Sequence, residues 1–306
     1  MCCYLLCPPT PNSITRKMAF HPPRKGKNYT VHLAEDPNEQ IANASKSFYF
    51  SILALIQVVI FCQPNASDLG EYLQPCCANI PLMAELFDTD VYAFDYSGYG
   101  YSSGKPSEAN IYADIRAVYE FVRKTRPDKK VILKGTNLGT ATVCDMAASR
   151  PEGLAGVVLV APFTSGLRLI GDQPEKPTTC SLDRFNTYEK VGRIVVPLLV
   201  CHGNQDETIE VEHGLELARR ARRAVPPLII NEANHITIFN GKYMQTFTRI
   251  RRFLDEEINQ SQESETNTNI HDSAQEKNDH SKVQDRHRRD FPGRRHAADG
   301  LINGKQ

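Results

Sequence analysis

The feature that most restricts how this chain can fold is a series of apolar, β-branched runs, each separated from the next by a helical pattern, from Ile52 to Glu257. The runs are LIQVVIF ending at Phe61, DVYAFDY ending at Tyr96, KVILKG ending at Gly135, AGVVLVAPF ending at Phe163, IVVPLLVCH ending at His202 and PPLIINEA ending at Ala233. Strands that are apolar on both faces belong in a parallel sheet covered by helices on either side. After GKPSE, Ile111, Ile115, Val118 and Val122 recur at helical spacing opposite a charged face. The expected fold is α/β: a doubly wound, mostly parallel sheet with helices on both faces. At 306 residues and 41% hydrophobic content, the chain can bury a sizeable core and still carry appendages.

Within this pattern, VILKGTNLGTATVCDMAASR, Val131 to Arg150, runs from a strand through Gly-x-x-x-Gly into an amphipathic helix. That layout presents a catalytic serine in many hydrolases, followed in the chain by an acid and then a histidine. The residue presented here is Asn137. Asp206, in HGNQDETI, and His235, in NEANHITIF, each follow an apolar strand and stand in the required order. A carboxylate at the first position would orient the imidazole at the second, which would move the nucleophile's proton. A carboxamide has no ionisable proton near neutral pH, so Asn137 cannot be activated in that way. Losing the nucleophile from such a unit costs on the order of a millionfold in turnover.

The rest of the chain narrows the surroundings. Charge is balanced at 36 basic and 36 acidic residues, so no bulk field draws the protein to nucleic acid. Nine cysteines at irregular spacings argue for a reducing compartment, and none has zinc-site spacing; no metal and no cofactor are expected. The start, MCCYLLCPPTP, has neither a basic region nor a secretory apolar run. Cys2, Cys3 and Cys7 beside Tyr4, Leu5 and Leu6 are substrate-like for S-acylation, the other reading being a frayed terminus with free thiols. Ser47 to Phe61 is too short to span a bilayer and suits buried strands. Residues 164–193, rich in turn formers, are placed to lie over a pocket mouth, the other reading being an ordinary surface loop. Three segments follow: a cysteine-rich anchor over 1–17, an α/β domain over 18–257, and a polar tail over 258–306 that cannot offset its ordering entropy. The tail ends in Arg286, Arg288, Arg289, Arg294 and Arg295 around Phe291, a cluster able to touch acidic headgroups, although a solvated tail is the favoured reading.

The stretches DYSGYGYSSGKPSEANIYADI (95–115), KMAFHPP (17–23), PFTSGLR (162–168) and HGNQDETIEVEHGL (202–215), with the cysteine-rich start, closely resemble the alpha/beta-hydrolase domain-containing protein 17 family over residues 1–257. The resemblance implies an alpha/beta-hydrolase fold held at the cytoplasmic face of membranes by palmitoylation of Cys2, Cys3 and Cys7. It implies a protein depalmitoylase, acting on S-acylated membrane-associated proteins. The family's Gly-Gln-Ser-Ile-Gly maps onto GTNLG, so its serine falls on Asn137, while its acid and histidine fall on Asp206 and His235. Its oxyanion amides fall on Leu138 and on Asn65, in a turn where CQPN replaces Ser-His-Gly-Asn. Gln63 and Pro64 are departures there, and a proline fixes φ and lacks an N–H, which puts the aim of the Asn65 amide in question. Lys134 adds a basic residue close to the elbow.

Three readings are open at this level. The first is a membrane-anchored pseudoenzyme that keeps an acyl-binding surface. The second is an active hydrolase, if serine replaces Asn137 in a variant or if deamidation there gives a carboxylate nucleophile. Leu138 rather than glycine follows Asn137, so spontaneous deamidation is expected to be slow. The third is an anchor or adaptor in which Cys2, Cys3, Cys7 and the basic tail do the work.

Overall fold

In the computed structural model the described residues are Arg16, 19–23, 47–50, 56–74 and 78–258. Cys2, Cys3, Cys7 and residues 259–306 with the arginine cluster lie outside them, while Ile258, expected to open the polar tail, is instead buried in the core. The β-branched runs form a seven-stranded sheet: β1 (Ser47–Phe50), β2 (Gln57–Cys62), β3 (Asp90–Phe94), β4 (Lys130–Thr136), β5 (Leu154–Val160), β6 (Leu198–Gly203) and β7 (Leu228–Ile230), in the order β1-β3-β2-β4-β5-β6-β7. β1 pairs antiparallel with β3, Ser47 opposite Phe94, and the other six strands are parallel. The Ser47 to Phe61 run thus contributes two strands, and no helix among the described residues is long and apolar enough to cross a membrane.

Strand ends depart from the apolar runs where proline intervenes. β6 begins at Leu198 rather than Ile194, because Pro197 has no N–H for the ladder, though its carbonyl still accepts from Val157. β7 is short for the same reason, following Pro226 and Pro227.

The helices are α1 (Leu69–Tyr72), α2 (Ile80–Phe87), α3 (Glu108–Thr125), α4 (Leu138–Ala148), α5 (Gly166–Ile170), α6 (Thr187–Val191), α7 (Val211–Arg220) and α8 (Met244–Arg252), the last continued by a π-helical turn, Phe253–Glu257. α3 starts where the Ser107 side chain accepts the Asn110 amide, and it buries Ile111, Ile115, Val118 and Val122, the four residues at helical spacing. α3, α4, α6 and α7 contribute to one hydrophobic core, on one face of the sheet. α2 and α8, through Ile80, Met83, Phe87, Phe247 and Ile250, build the other. Residues 164–193 are not an ordinary loop, since they hold α5 and α6. Both faces being covered, the carboxyl ends of the strands are where a sheet of this kind binds ligands.

Candidate active site

Asn137 is the single residue between β4 and α4, with φ 51° and ψ −115°. For a side chain larger than glycine this conformation costs about 1–3 kcal/mol and persists only where the surroundings dictate it. They do so through the backbone: Asn137 N–H donates to Val160 O at 3.0 Å, and Asn137 O accepts from Thr140 N at 3.0 Å. The flanking glycines allow strand and helix to approach. A Cβ on Gly135 would lie 2.4 Å from Gly139 O, and one on Gly139 would lie 2.1 Å from Cys62 O.

The turns after β6 and β7 bring the other two candidates to this elbow. Asp206 Oδ2 accepts from His235 Nδ1 at 2.7 Å, and its Oδ1 accepts the Thr208 and Ile209 amides at 3.0 and 2.8 Å. Burial pushes the Asp206 carboxyl up, but hydrogen bonds from His202 and His235, the charge of His235 and the Ile209 amide outweigh it, holding the group well below the usual carboxylate range. The carboxylate therefore fixes the proton of His235 on Nδ1 and turns the lone pair of Nε2 toward Asn137, whose Nδ2 lies 2.9 Å away.

The carboxamide oxygen faces the other way. Asn137 Oδ1 accepts the Leu138 N–H at 2.6 Å and the Asn65 N–H at 3.4 Å. Two backbone donors on one atom identify it as the oxygen and leave the NH2 group to the imidazole. The turn with Gln63 and Pro64 thus does point the Asn65 amide into the site, and a net of side chains explains why. Tyr96 Oη donates to Gln63 O at 2.9 Å, Tyr99 Oη donates to Asn65 Oδ1 at 2.8 Å, and Asn65 Nδ2 donates to Ala19 O at 2.8 Å. Gln63, buried, donates to Asp95 Oδ1 at 3.0 Å. The Tyr-Ser-Gly-Tyr-Gly stretch is therefore a buttress for this turn, a role its motif alone does not disclose.

In front of Asn137 lies a cavity of about 540 Å³, a size typical of ligand sites, lined mainly by Phe163, Leu167, Leu169, Ile170, Leu182 and Phe185. Most of this wall comes from residues 164–193, which cover the mouth as their position in the chain suggested. An imidazole oriented by a carboxylate, two convergent amides and an apolar cavity can perform acyl transfer on a group that carries a proton at position 137. A carboxamide is not such a group.

The chain is similar to Alpha/beta hydrolase domain-containing protein 17B of Homo sapiens, 32% identical over 285 residues that cover 84% of this chain and 96% of that protein. It belongs to the alpha/beta hydrolase domain-containing protein 17 family. Its similarity to Alpha/beta hydrolase domain-containing protein aho-3 of Caenorhabditis elegans is 33% over 288 residues, 84% of this chain and 82% of that one. Residues 82–176 match the family model described as Serine aminopeptidase, S33. Among solved structures, Est1E from Butyrivibrio proteoclasticus with bound ferulic acid superposes on 70% of this chain and 95% of its own with a TM-score of 0.54, at 14% identity, a likeness of fold alone.

Two features of this member of the protein 17 family were not singled out from its sequence. His202, at the end of β6, has Nε2 2.9 Å from Ile209 O and 3.3 Å from Asp206 Oδ2, so Asp206 faces two histidines. The HGNQD stretch contained it, but only the fold turns its ring back onto the aspartate. Arg168, 2% exposed, pins the cover of the cavity. Its guanidinium donates to Lys176 O, Ser165 Oγ and Thr179 Oγ1 at 3.0, 3.2 and 2.8 Å, stacks 4.0 Å over the Tyr188 ring and lies 3.5 Å from Asp183 Oδ2. Arg168→Ala is expected to cost about 2–3 kcal/mol. That is less than breaking an isolated buried ion pair, since Asp183 keeps Ser165 Oγ and the Leu167 and Arg184 amides. Early proteolysis within 164–193 and a lowered urea midpoint would be the readouts; an unchanged midpoint would refute the pin.

Proposed function

We propose that this chain is a membrane-anchored protein of hydrolase fold that binds S-acyl groups in its apolar cavity but does not turn over thioesters by the serine route. One observation carries the reading: the side chain at the elbow holds both converging amides with its oxygen and His235 with its nitrogen. A carboxamide bound in this way offers the imidazole no ionisable proton, and its oxygen occupies the two amides that would otherwise meet a substrate carbonyl. In this reading Asn137 stands in the nucleophile's place, Asp206 and His235 are the acid and the base, and Asn65 and Leu138 supply the oxyanion amides. Family membership suggests the ligand class, S-acylated membrane-associated proteins, which the chain would shield or withhold from active relatives.

The proposed layout keeps residues 1–17 as an anchor at the cytoplasmic face of membranes, extends the hydrolase domain to 18–258 to include the buried Ile258, and leaves 259–306 as a polar tail. Two or three acyl chains on Cys2, Cys3 and Cys7 would hold the protein stably where one would not, at roughly 0.8 kcal/mol per buried methylene. A Cys2/Cys3/Cys7→Ser variant is expected to move from the membrane pellet to the soluble fraction, and persistence in the pellet would remove the anchor from the proposal. The functional core is tested by comparing acyl-thioester hydrolysis in the natural chain and in Asn137→Ser. Similar turnover in the two would sink it. An acylated peptide that binds the natural chain without being hydrolysed is the expected companion result.

A further inference from the structure

The carboxamide of Asn137 is held as a substrate would be. Its carbonyl oxygen takes two backbone N–H groups, from Leu138 at 2.6 Å and Asn65 at 3.4 Å, and its nitrogen lies 2.9 Å from the imidazole that Asp206 orients. In acyl-transfer chemistry, amide donors on a carbonyl oxygen stabilise the charge that grows there, and an imidazole beside the leaving atom delivers its proton. Both are present here, aimed at a bond within the protein itself. The His235 side chain is 20% exposed, so solvent has access to the site.

We propose that Asn137 is a self-hydrolysing residue: His235, Asp206 and the amides of Asn65 and Leu138 convert its carboxamide to a carboxylate in the folded chain. Water is the only co-reactant. Its oxygen adds to Asn137 Cγ while His235 Nε2 takes its proton, and the electron pair of the C=O bond moves onto Oδ1 between the two amides. The C–N bond then breaks as the imidazolium gives that proton to Nδ2, which leaves as ammonia. Ammonia takes up the proton of the new carboxylic acid, so that carboxamide and water become carboxylate and ammonium, with no change of oxidation state. The aspartate formed at position 137 keeps the same two N–H donors and faces an imidazole that can hold a second proton, which stabilises the product in place.

This route differs from ordinary asparagine deamidation, in which the following backbone nitrogen attacks Cγ and closes an imide that opens to a mixture of aspartate and isoaspartate. Here that nitrogen belongs to Leu138, the first residue of α4, and directs its N–H at Oδ1. The two routes therefore leave different products. The direct one gives aspartate without isoaspartate, and it needs the folded site.

The inference rests on the reading of Asp206 and His235 as a working pair, which serine-reactive phosphonate labelling of Asn137→Ser tests separately. The experiment is prolonged incubation of the full chain at pH 7 to 8 in water enriched in heavy oxygen, with peptide mapping of residues 131–150. The expected result is replacement of the carboxamide NH2 by one labelled oxygen at position 137, with no isoaspartate. The conversion should slow about 100-fold or more in His235→Ala. It should slow also in Asp206→Asn, and should lose its preference for aspartate in urea. Isoaspartate in the folded chain, or a rate indifferent to both variants, would overturn the proposal in favour of the imide route. No conversion in a chain whose Asn137→Ser variant is labelled by the phosphonate would overturn it while leaving the pair intact. No conversion and no labelling would overturn both.

Discussion

Replacing Asn137 by serine is expected to raise acyl-thioester hydrolysis by roughly 10⁴- to 10⁶-fold and to create labelling by a serine-reactive phosphonate that the natural chain lacks. The gain has two sources in the geometry. The hydroxyl would supply a proton that His235, already oriented through the 2.7 Å contact with Asp206, can accept. The shorter side chain would also release the amides of Asn65 and Leu138, which Asn137 Oδ1 now occupies, to a substrate carbonyl. The backbone needs no rearrangement, because φ 51° and ψ −115° at this position are imposed by the Val160 and Thr140 bonds rather than by the side chain. A variant that neither labels nor turns over would locate the fault in the turn carrying Gln63 and Pro64, and would end the view that a single missing hydroxyl separates this chain from activity.

The second large effect concerns stability. Lys134, in the strand that leads to the elbow, is 1% exposed, and its amine lies 3.6 Å from the centroid of Phe239 and 4.3 Å from that of Phe61. Thr136 Oγ1, at 3.2 Å, accepts one of its hydrogens. Burial is the main cause that pulls this lysine down from 10.5 to about 7, with nearby Cys201 and Cys62 acting weakly the other way. Those thiols stay protonated across the neutral range, since burial pushes Cys201 up to about 12 and Cys62 higher still.

Between pH 7 and 10.5 the unfolded chain therefore keeps a proton that the folded chain has released, and stability rises with pH through that window. Below about 7 both states are protonated and the burial cost stands in full, about 3–5 kcal/mol after allowance for the two ring faces. Lys134→Met, similar in length and without charge, is expected to raise stability by about 3 kcal/mol at pH 6 and to flatten the rise with pH. Urea midpoints at pH 6, 7.5 and 9 check this; a destabilised variant, or one with an unaltered pH slope, would contradict it.

The class of fold and the positions of the candidate site were legible because they depend on local patterns. Val131 to Leu133 alternate between the two cores as a strand requires, Gly135 and Gly139 permit a close strand-to-helix turn, and Asp206 and His235 each follow a strand at its carboxyl end. Where the sequence misled, a local rule was overridden by distant contacts. The proline at 64 suggested a misdirected amide, but Tyr96 and Tyr99, more than thirty residues on, hold the turn in place. Residues 164–193 were legible as a cover for the pocket mouth from their place in the chain, but their internal contacts were not: Arg168 and Asp183, whose side chains are both buried, tie the segment together with no helical or strand periodicity to announce it.

What the amino-acid sequence determined by itself is the chemistry available at position 137: a carboxamide, with no hydroxyl to activate. Only the tertiary structure decided what that carboxamide touches. Its oxygen meets an amide 72 residues before it and its nitrogen an imidazole 98 residues after it. Contacts so distant along the chain are set by the order in which β2, β4, β5, β6 and β7 pair side by side, and no reading of neighbouring residues contains that geometry.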